Sequence, residues 1–391
     1  QRQPGSSFKP FVYAAALDAG YSPSTTVLDA PVVVRLTSGD WRPKNSSGRF
    51  YGPSPLRLGL VHSRNLMTVR IAQSVGMSRV AAYAERFGVY EDMPHHLSYA
   101  LGAGETTLWD MVAAYGMFAN GGRRVRPTLV DRIQDRTGRT IYRHAPRWCA
   151  DCAGVTASPD DPPQLYDTRP RIMNPLTARQ VIAMMEDVVR RGTAARTVGD
   201  LGFPVAGKTG TTNENRDAWF VGFSPNLVAG CFIGHDQPET IGPRAYGGTM
   251  CGPVFREFML EAMETRPAGS FVGPEEGEMV TVKLDRDTGE RLPDDAVGPH
   301  VVVERFEAGT EPVFGVGARA IAEDEALFGD ALAASVPAYD DAGADPGLPT
   351  TLSQEGAALE DPAEPGNGNA PPRPPEEPSG GGVGLGTGGL Y

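Results

Sequence analysis

The chain has 391 residues, 40% of them hydrophobic, which is ample for a buried core and excludes disorder throughout. Its net charge of −12 is concentrated at one end: residues 338–391 carry nine Asp and Glu against Arg373 alone, leaving 39 acidic and 35 basic side chains in the rest. A nearly balanced body without clustered positive charge excludes a nucleic-acid footprint, and apolar runs such as 11–17 and 227–234 fall well below the roughly 18 to 20 residues that span a bilayer. The sequence opens on Gln1 with no basic and apolar leader, so it reads as a piece of a longer protein.

In chain order, Phe8, Phe11, Val12, Ala15 and Ala16 recur at helical spacing and predict a helix that Ser6 opens and Gly20 stops. Further helices are expected over 66–75, after Ser63; over 78–86, before Gly88; and over 108–118, before Asn120-Gly121-Gly122. The strongest signal is 177–191, where Thr177 and Gln180 have capping-box spacing, Val181, Met184, Met185 and Val188 form an apolar stripe, and Gly192 ends it. Strands are expected over 204–212, 218–223 and 227–234, the last two joined through Ser224-Pro225-Asn226. Hairpins turning at 135–138 and 285–289 are each flanked by alternating apolar residues. Helices thus precede a short antiparallel sheet, an α/β (α+β) arrangement with a central antiparallel sheet flanked by helices. We divide the chain into a main domain over 1–265, interrupted by an irregular Cys-containing insertion at 131–172, and a small β-rich extension over 266–320. An acidic Pro/Gly-rich tail over 321–391 is expected to be disordered, because it cannot bury enough surface to offset the entropy of ordering it.

Of the four cysteines, Cys149 and Cys152 form a Cys-x-x-Cys after Trp148. The spacing is that of redox motifs, but the segment is rich in Pro, Asp and Arg rather than a strand-to-helix turn, and only His144 offers a further metal ligand nearby. The expectation is a local disulfide or two idle thiols, with no metal and no cofactor.

Three short patterns stand in one order: Ser6-Ser7-Phe8-Lys9, Ser63-Arg64-Asn65 and Lys208-Thr209-Gly210-Thr211. A Ser-x-x-Lys alone arises by chance about once in a chain of this length. Lysine usage changes its weight. Of 36 basic residues only four are Lys, at 9, 44, 208 and 283, and two of these fall inside the patterns, where chemistry would demand an amine that can release its proton. On a helix Ser6 and Lys9 share a face, so Lys9 can act as the general base that activates the Ser6 hydroxyl, provided burial and the charge of Lys208 lower its pKa. Ser63 and Asn65, two apart in a turn, can point the same way, Ser63 to relay a proton between Lys9, Lys208 and a leaving amine, and Asn65 to hold a substrate amide. Lys208 shares a strand face with Gly210, which lets a peptide backbone come close, and Thr209 and Thr211 complete a substrate-binding strand. The backbone amides of Ser6 and Thr211 would form an oxyanion hole. A competing Ser-His-Asp arrangement finds no Gly-x-Ser-x-Gly, and of six histidines only His62 adjoins a motif residue.

This set of three motifs resembles that of penicillin-binding proteins and serine β-lactamases. The flanking residues are similar to class A, bifunctional penicillin-binding proteins in particular: Arg2-Gln3-Pro4-Gly5-Ser6-Ser7-Phe8-Lys9-Pro10-Phe11, Ser63-Arg64-Asn65-Leu66, Ala119-Asn120-Gly121-Gly122, Gly192-Thr193-Ala194, Gly207-Lys208-Thr209-Gly210-Thr211-Thr212-Asn213 and Asp217-Ala218-Trp219-Phe220-Val221-Gly222-Phe223. The resemblance covers roughly 1–265. It implies a central sheet sandwiched by helices and a serine acyl-enzyme formed with D-Ala-D-Ala stem peptides to cross-link peptidoglycan. It also implies lipid II-derived glycan strands as substrate, β-lactam antibiotics as acylating ligands, other cell-wall synthesis proteins as partners, and a site on the periplasmic side of the inner membrane. Strands before the nucleophile, a membrane anchor and a glycosyltransferase domain belong to the same family pattern and are absent from these 391 residues.

Two other functions share the first chemical step. A D,D-carboxypeptidase or β-lactamase needs a carboxylate to activate water, and Glu85, Glu91 and Glu105 lie between the second and third motifs with no pattern that aims one at an acyl-enzyme. A non-catalytic β-lactam-binding or scaffold module would have no need of Lys9, Asn65 and Lys208.

Overall fold

The computed structural model describes residues 1–314 apart from 38, 145–147, 150–164, 267–268 and 275–278. A 3-10 turn over Gly5–Phe8 leads into α1 (Lys9–Leu17). Two small antiparallel ribbons follow: β1 (Thr26–Asp29) pairs with β4 (Gly52–Pro55), and β2 (Val34–Leu36) with β3 (Gly39–Trp41). Four helices come next, α2 (Leu56–Val61), α3 (Asn65–Val75), α4 (Met77–Arg86) and α5 (Leu108–Ala119). The insertion contributes the hairpin β5 (Arg132–Gln134) and β6 (Thr140–Arg143) and the short pair β7 (Trp148–Cys149) and β8 (Leu165–Tyr166). After α6 (Pro175–Arg190) the chain forms β9 (Ala206–Thr211), β10 (Asp217–Ser224) and β11 (Leu227–Gly234), then α7 (Gly247–Met263). The extension is a sheet of β12 (Met279–Asp285), β13 (Arg291–Leu292) and β14 (Val301–Glu307).

The centre of the molecule is the antiparallel sheet β11-β10-β9. All eight residues of β10 are buried, because helices cover both of its faces. Side chains alternate across a strand, so Trp219, Val221 and Phe223 enter the main core with Phe8, Phe11, Tyr115 and Phe118. Phe220 enters a second cluster with Val188, Val198, Phe255 and Met259. The α+β architecture expected from the sequence is the one found.

Two local expectations change. Ser6 does not open an α-helix; it lies in the 3-10 turn, and α1 begins at Lys9. Thr177 and Gln180 do not form a capping box: Asn174 caps α6 by accepting from Leu176 N–H at 2.8 Å, while Thr177 donates to Asp18 and Gln180 to Arg305 O. The helices α2 and α7 had no sequence prediction.

The extension is fastened to α6 by the 2.7 Å bond from Gln180 Nε2 to Arg305 O and by a buried charge cluster, in which Arg57 lies between Asp187, at 2.5 Å, and Glu304. Buried charges persist only when paired, so removing any one partner would leave an uncompensated charge between β14, α2 and α6. Among the described residues no helix is long and apolar enough to cross a membrane. The tail over 321–391 and most of the segment around Cys149 and Cys152 lie outside the described residues.

Candidate active site

The Ser6 turn is wedged between two backbones. Gly5 has φ +52°, and a Cβ on it would meet Thr211 O at 2.7 Å; one on Gly102, φ +79°, would meet Gly5 O at 2.1 Å. Glycine at both positions lets β9 and the 102 loop close on the turn, which Gly5 N–H ties to Gly102 O at 3.2 Å. Ser7 is buried with its hydroxyl donating to Pro4 O at 2.7 Å, whereas Ser6 is partly exposed and its hydroxyl has no hydrogen-bond partner among the described residues. In a 3-10 turn positions three apart eclipse, so the turn still brings Ser6 and Lys9 to one side.

Lys9 and Lys208 are both completely buried. Lys9 Nζ lies 2.6 Å from Ser63 O, 2.6 Å from Asn65 Oδ1 and 3.3 Å from Ser63 Oγ. Lys208 Nζ reaches the same Ser63 Oγ at 3.0 Å and Thr209 O at 3.1 Å. The Ser63 hydroxyl therefore sits between two amines. Burial depresses Lys9 well below the ordinary lysine range, the charge of Lys208 adds to this, and Asp29 opposes it. Burial brings Lys208 down to about 7. A neutral amine has two N–H donors and one lone pair. In its neutral form Lys9 would spend both donors on Ser63 O and Asn65 Oδ1, which would leave the lone pair to accept a hydroxyl proton.

Ser63 occupies the turn between α2 and α3 at φ +57°, a left-handed conformation that costs a non-glycine residue of order 1 to 3 kcal/mol. Arg64 N–H to Gly59 O at 2.8 Å closes this turn. The start of α3 is capped from outside: Asn45 Oδ1 accepts from Asn65 N–H at 2.8 Å and Leu66 N–H at 3.2 Å. Asn45 is itself held by Asp29 Oδ1 at 2.8 Å, and Asn65 Nδ2 donates to Lys44 O at 2.7 Å, so the Asn65 amide is fixed at both ends. Sequence reasoning missed Asn45; an Asn-Ser-Ser-Gly turn was the only signal. Asn45→Ala removes the cap and should lower stability by about 1 to 2 kcal/mol and slow penicillin acylation by loosening Asn65. Chemical denaturation and acylation kinetics check both, and an unchanged acylation rate would mean that Asn65 is held without Asn45.

On β9, Thr212 N–H donates to Asp217 O at 3.1 Å, which makes 212 and 217 a hydrogen-bonded pair. Pairs alternate along an antiparallel ladder, so Thr211 turns its N–H away from β10 toward the outer edge of the sheet. Ser6 N–H, at the start of its turn, has no helical acceptor. At Gly210 a Cβ would meet Pro4 O at 2.3 Å, so the chain's own backbone also comes close to this glycine. Thr209 Oγ1 is 2.7 Å from Thr193 Oγ1, in the turn after α6. The first turn of α7 seals the other side, where Gly247 N–H donates to Thr211 Oγ1 at 2.9 Å and a Cβ on Gly247 would meet Gly210 O at 2.1 Å.

All three motifs thus converge on one buried pair of amines beside a partly exposed serine. The penicillin-binding protein transpeptidase domain family matches residues 1–260. The chain belongs to that family. Penicillin-binding protein 1A of Rickettsia bellii is 40% identical over 301 residues, 76% of this chain and 38% of the relative. The Neisseria gonorrhoeae protein of the same name is 43% identical over 279 residues, 70% of this chain and 33% of the relative. The crystal structure of penicillin-binding protein 1A from Haemophilus influenzae superposes with a TM-score of 0.68 at 28% identity, covering 80% of this chain and 49% of that one. The chain spans less than two fifths of the length of these two sequence relatives.

Within this transpeptidase domain Glu85, one of the carboxylates a hydrolase might use, instead accepts from Met93 N–H at 3.0 Å and ties down the loop after α4. Glu105 lies close enough to Asp217 to help raise that carboxyl's pKa, although burial is the main cause. Neither makes a hydrogen bond to Lys9, Ser63 or Lys208.

Proposed function

We propose that the chain carries out peptidoglycan D,D-transpeptidation: Ser6 attacks the D-Ala-D-Ala carbonyl of a stem peptide, an acyl-enzyme forms, and an amine of a second strand takes the acyl group. The observation that carries this reading is the Ser63 hydroxyl held at 3.3 and 3.0 Å from two buried lysine amines. Lys9, uncharged, accepts the Ser6 proton; Ser63 passes a proton on to the leaving D-alanine amine. Lys208 in its protonated form draws the terminal carboxylate of the donor or of a β-lactam, and that carboxylate in turn favours its charge. Asn65 holds a substrate amide, Thr209 and Thr211 border the peptide's path along β9, and Gly210 keeps the Ser6 turn against the strand. The N–H groups of Ser6 and Thr211 receive the developing oxyanion.

On this reading the substrates are stem peptides on lipid II-derived glycan strands, β-lactams are acylating inhibitors, and the site works outside the inner membrane. A parent protein with a glycosyltransferase domain, a membrane anchor and other cell-wall synthesis proteins as partners fits the length of the relatives beyond this match. A fluorescent penicillin followed over time tests the proposal, with mass spectrometry of the labelled peptide. The expected result is a long-lived adduct on Ser6. Label on Ser7 or Ser63 sinks the assignment of the nucleophile, and rapid turnover would point to a hydrolase.

A further inference from the structure

Cys231 and Cys251 are outside the catalytic machinery. Cys231 is on β11, opposite Phe220 in the ladder, and its side chain packs into the cluster on the α7 face of the sheet. Cys251 is in the second turn of α7, fully buried in that same cluster, with its thiol against Ala218 O at 3.3 Å. Both are free thiols on one face of the sheet: Cys231 lies opposite Phe220, and the Cys251 thiol lies at Ala218, the next residue of β10 on that face, so the two side chains are neighbours in one cluster. We propose that Cys231 and Cys251 are a disulfide-forming pair that staples α7 to β11 when the protein meets a disulfide oxidant.

The position gives the cross-link a purpose. One turn before Cys251, Gly247 and Gly248 rest on Gly210 O, Trp219 O and Thr193 O, so α7 backs the strand that carries Lys208 and Thr211. Joining Cys251 to β11 closes a loop of about 20 residues and removes much of that loop's freedom from the unfolded chain. The chemistry is thiol–disulfide exchange. The Cys231 thiolate attacks a disulfide RSSR and releases one RSH equivalent; Cys251 then loses its proton, attacks the mixed disulfide and releases the second. Two protein thiols are oxidised, and one oxidant disulfide is reduced to two thiols. The roles follow from the surroundings: Cys231 is partly exposed, with its pKa lowered by the Cys251 thiol, while Cys251 is buried, with its pKa raised by the Cys231 thiol and by burial.

The test equilibrates the whole chain with oxidised glutathione, alkylates the remaining thiols and maps the peptides by mass spectrometry, alongside thermal unfolding and penicillin labelling. A peptide linking Cys231 to Cys251 is expected, with a melting midpoint raised by about 5 to 10 °C and labelling retained to correspondingly higher temperature. Cys231→Ala, at the less buried position, should lose both the link and the gain, and Cys251→Ala should agree with it. Recovery of both cysteines alkylated, their linkage to Cys149 or Cys152 instead, or a link that leaves the midpoint unmoved overturns the proposal.

Discussion

Lys9→Arg should lower the rate of penicillin acylation by at least about 10² to 10⁴-fold, the range for a lost general base, while Lys208→Arg keeps a measurable rate. A guanidinium does not release its proton near neutral pH, so at position 9 it offers no lone pair, whereas at position 208 it preserves the charge. The pH profile separates the two further. Burial and the charge of Lys208 both hold Lys9 well below the ordinary lysine range, and burial brings Lys208 down to about 7. Acylation should therefore rise with pH as Lys9 becomes a base and fall as Lys208 loses its charge, the two limbs belonging to the coupled pair. Lys208→Arg should keep the acid limb and lose the alkaline one. Stopped-flow acylation across pH 5 to 9, roughly two units either side of the Lys208 transition, gives the comparison. Equal losses in the two variants, or an alkaline limb unmoved in Lys208→Arg, would mean that base and electrostatic lysine are assigned the wrong way round.

Gly210→Ala should be strongly damaging, although it adds a single methyl group. Its Cβ would lie 2.3 Å from Pro4 O, 2.9 Å from Trp219 Cβ and 3.1 Å from Ser7 Oγ, and the nearest of these is backbone that cannot swing aside. Either β9 or the Ser6 turn must move. A displacement of the order of 1 Å costs about 10²-fold in rate, and overpacking costs about 1 to 3 kcal/mol of stability. Gly273→Ala, where a Cβ meets nothing within 4 Å, is the control and should change neither. If Gly210→Ala keeps its melting midpoint and still reacts normally with a small penicillin, the glycine serves a bound peptide rather than the turn.

Much of the site was legible because it rests on short, ordered patterns. Lys9 and Lys208 stood out in a chain that otherwise prefers Arg, and the structure brings both to Ser63. The hairpin through Ser224-Pro225-Asn226 was legible from its two apolar runs, and β10 and β11 pair through it in full register. What escaped was whatever depends on distant partners. The α7 sequence opens on Gly247-Gly248 and contains Pro253, all poor helix formers, and it is helical because its face with Cys251, Phe255 and Met259 is buried against the sheet. Asn45 gives no periodic signal, since the N–H groups it caps lie 20 residues away. Thr177 and Gln180 had the right spacing for a capping box, but Asp18 and Arg305 compete for their side chains. The contact of Pro4 with Gly210 escaped in the same way, because nothing local reveals that Pro4 folds against it.

The left-handed backbone at Ser63 restricts which residues can do its chemistry. A threonine carries the same hydroxyl and could in principle sit between the same amines, but its branched Cβ is poorly tolerated at φ +57°. Glycine and asparagine accept that conformation readily, yet neither supplies a hydroxyl. Of the aliphatic alcohols only serine meets both demands, so the shape of the chain at this turn narrows which hydroxyl can stand between the two amines before any substrate arrives.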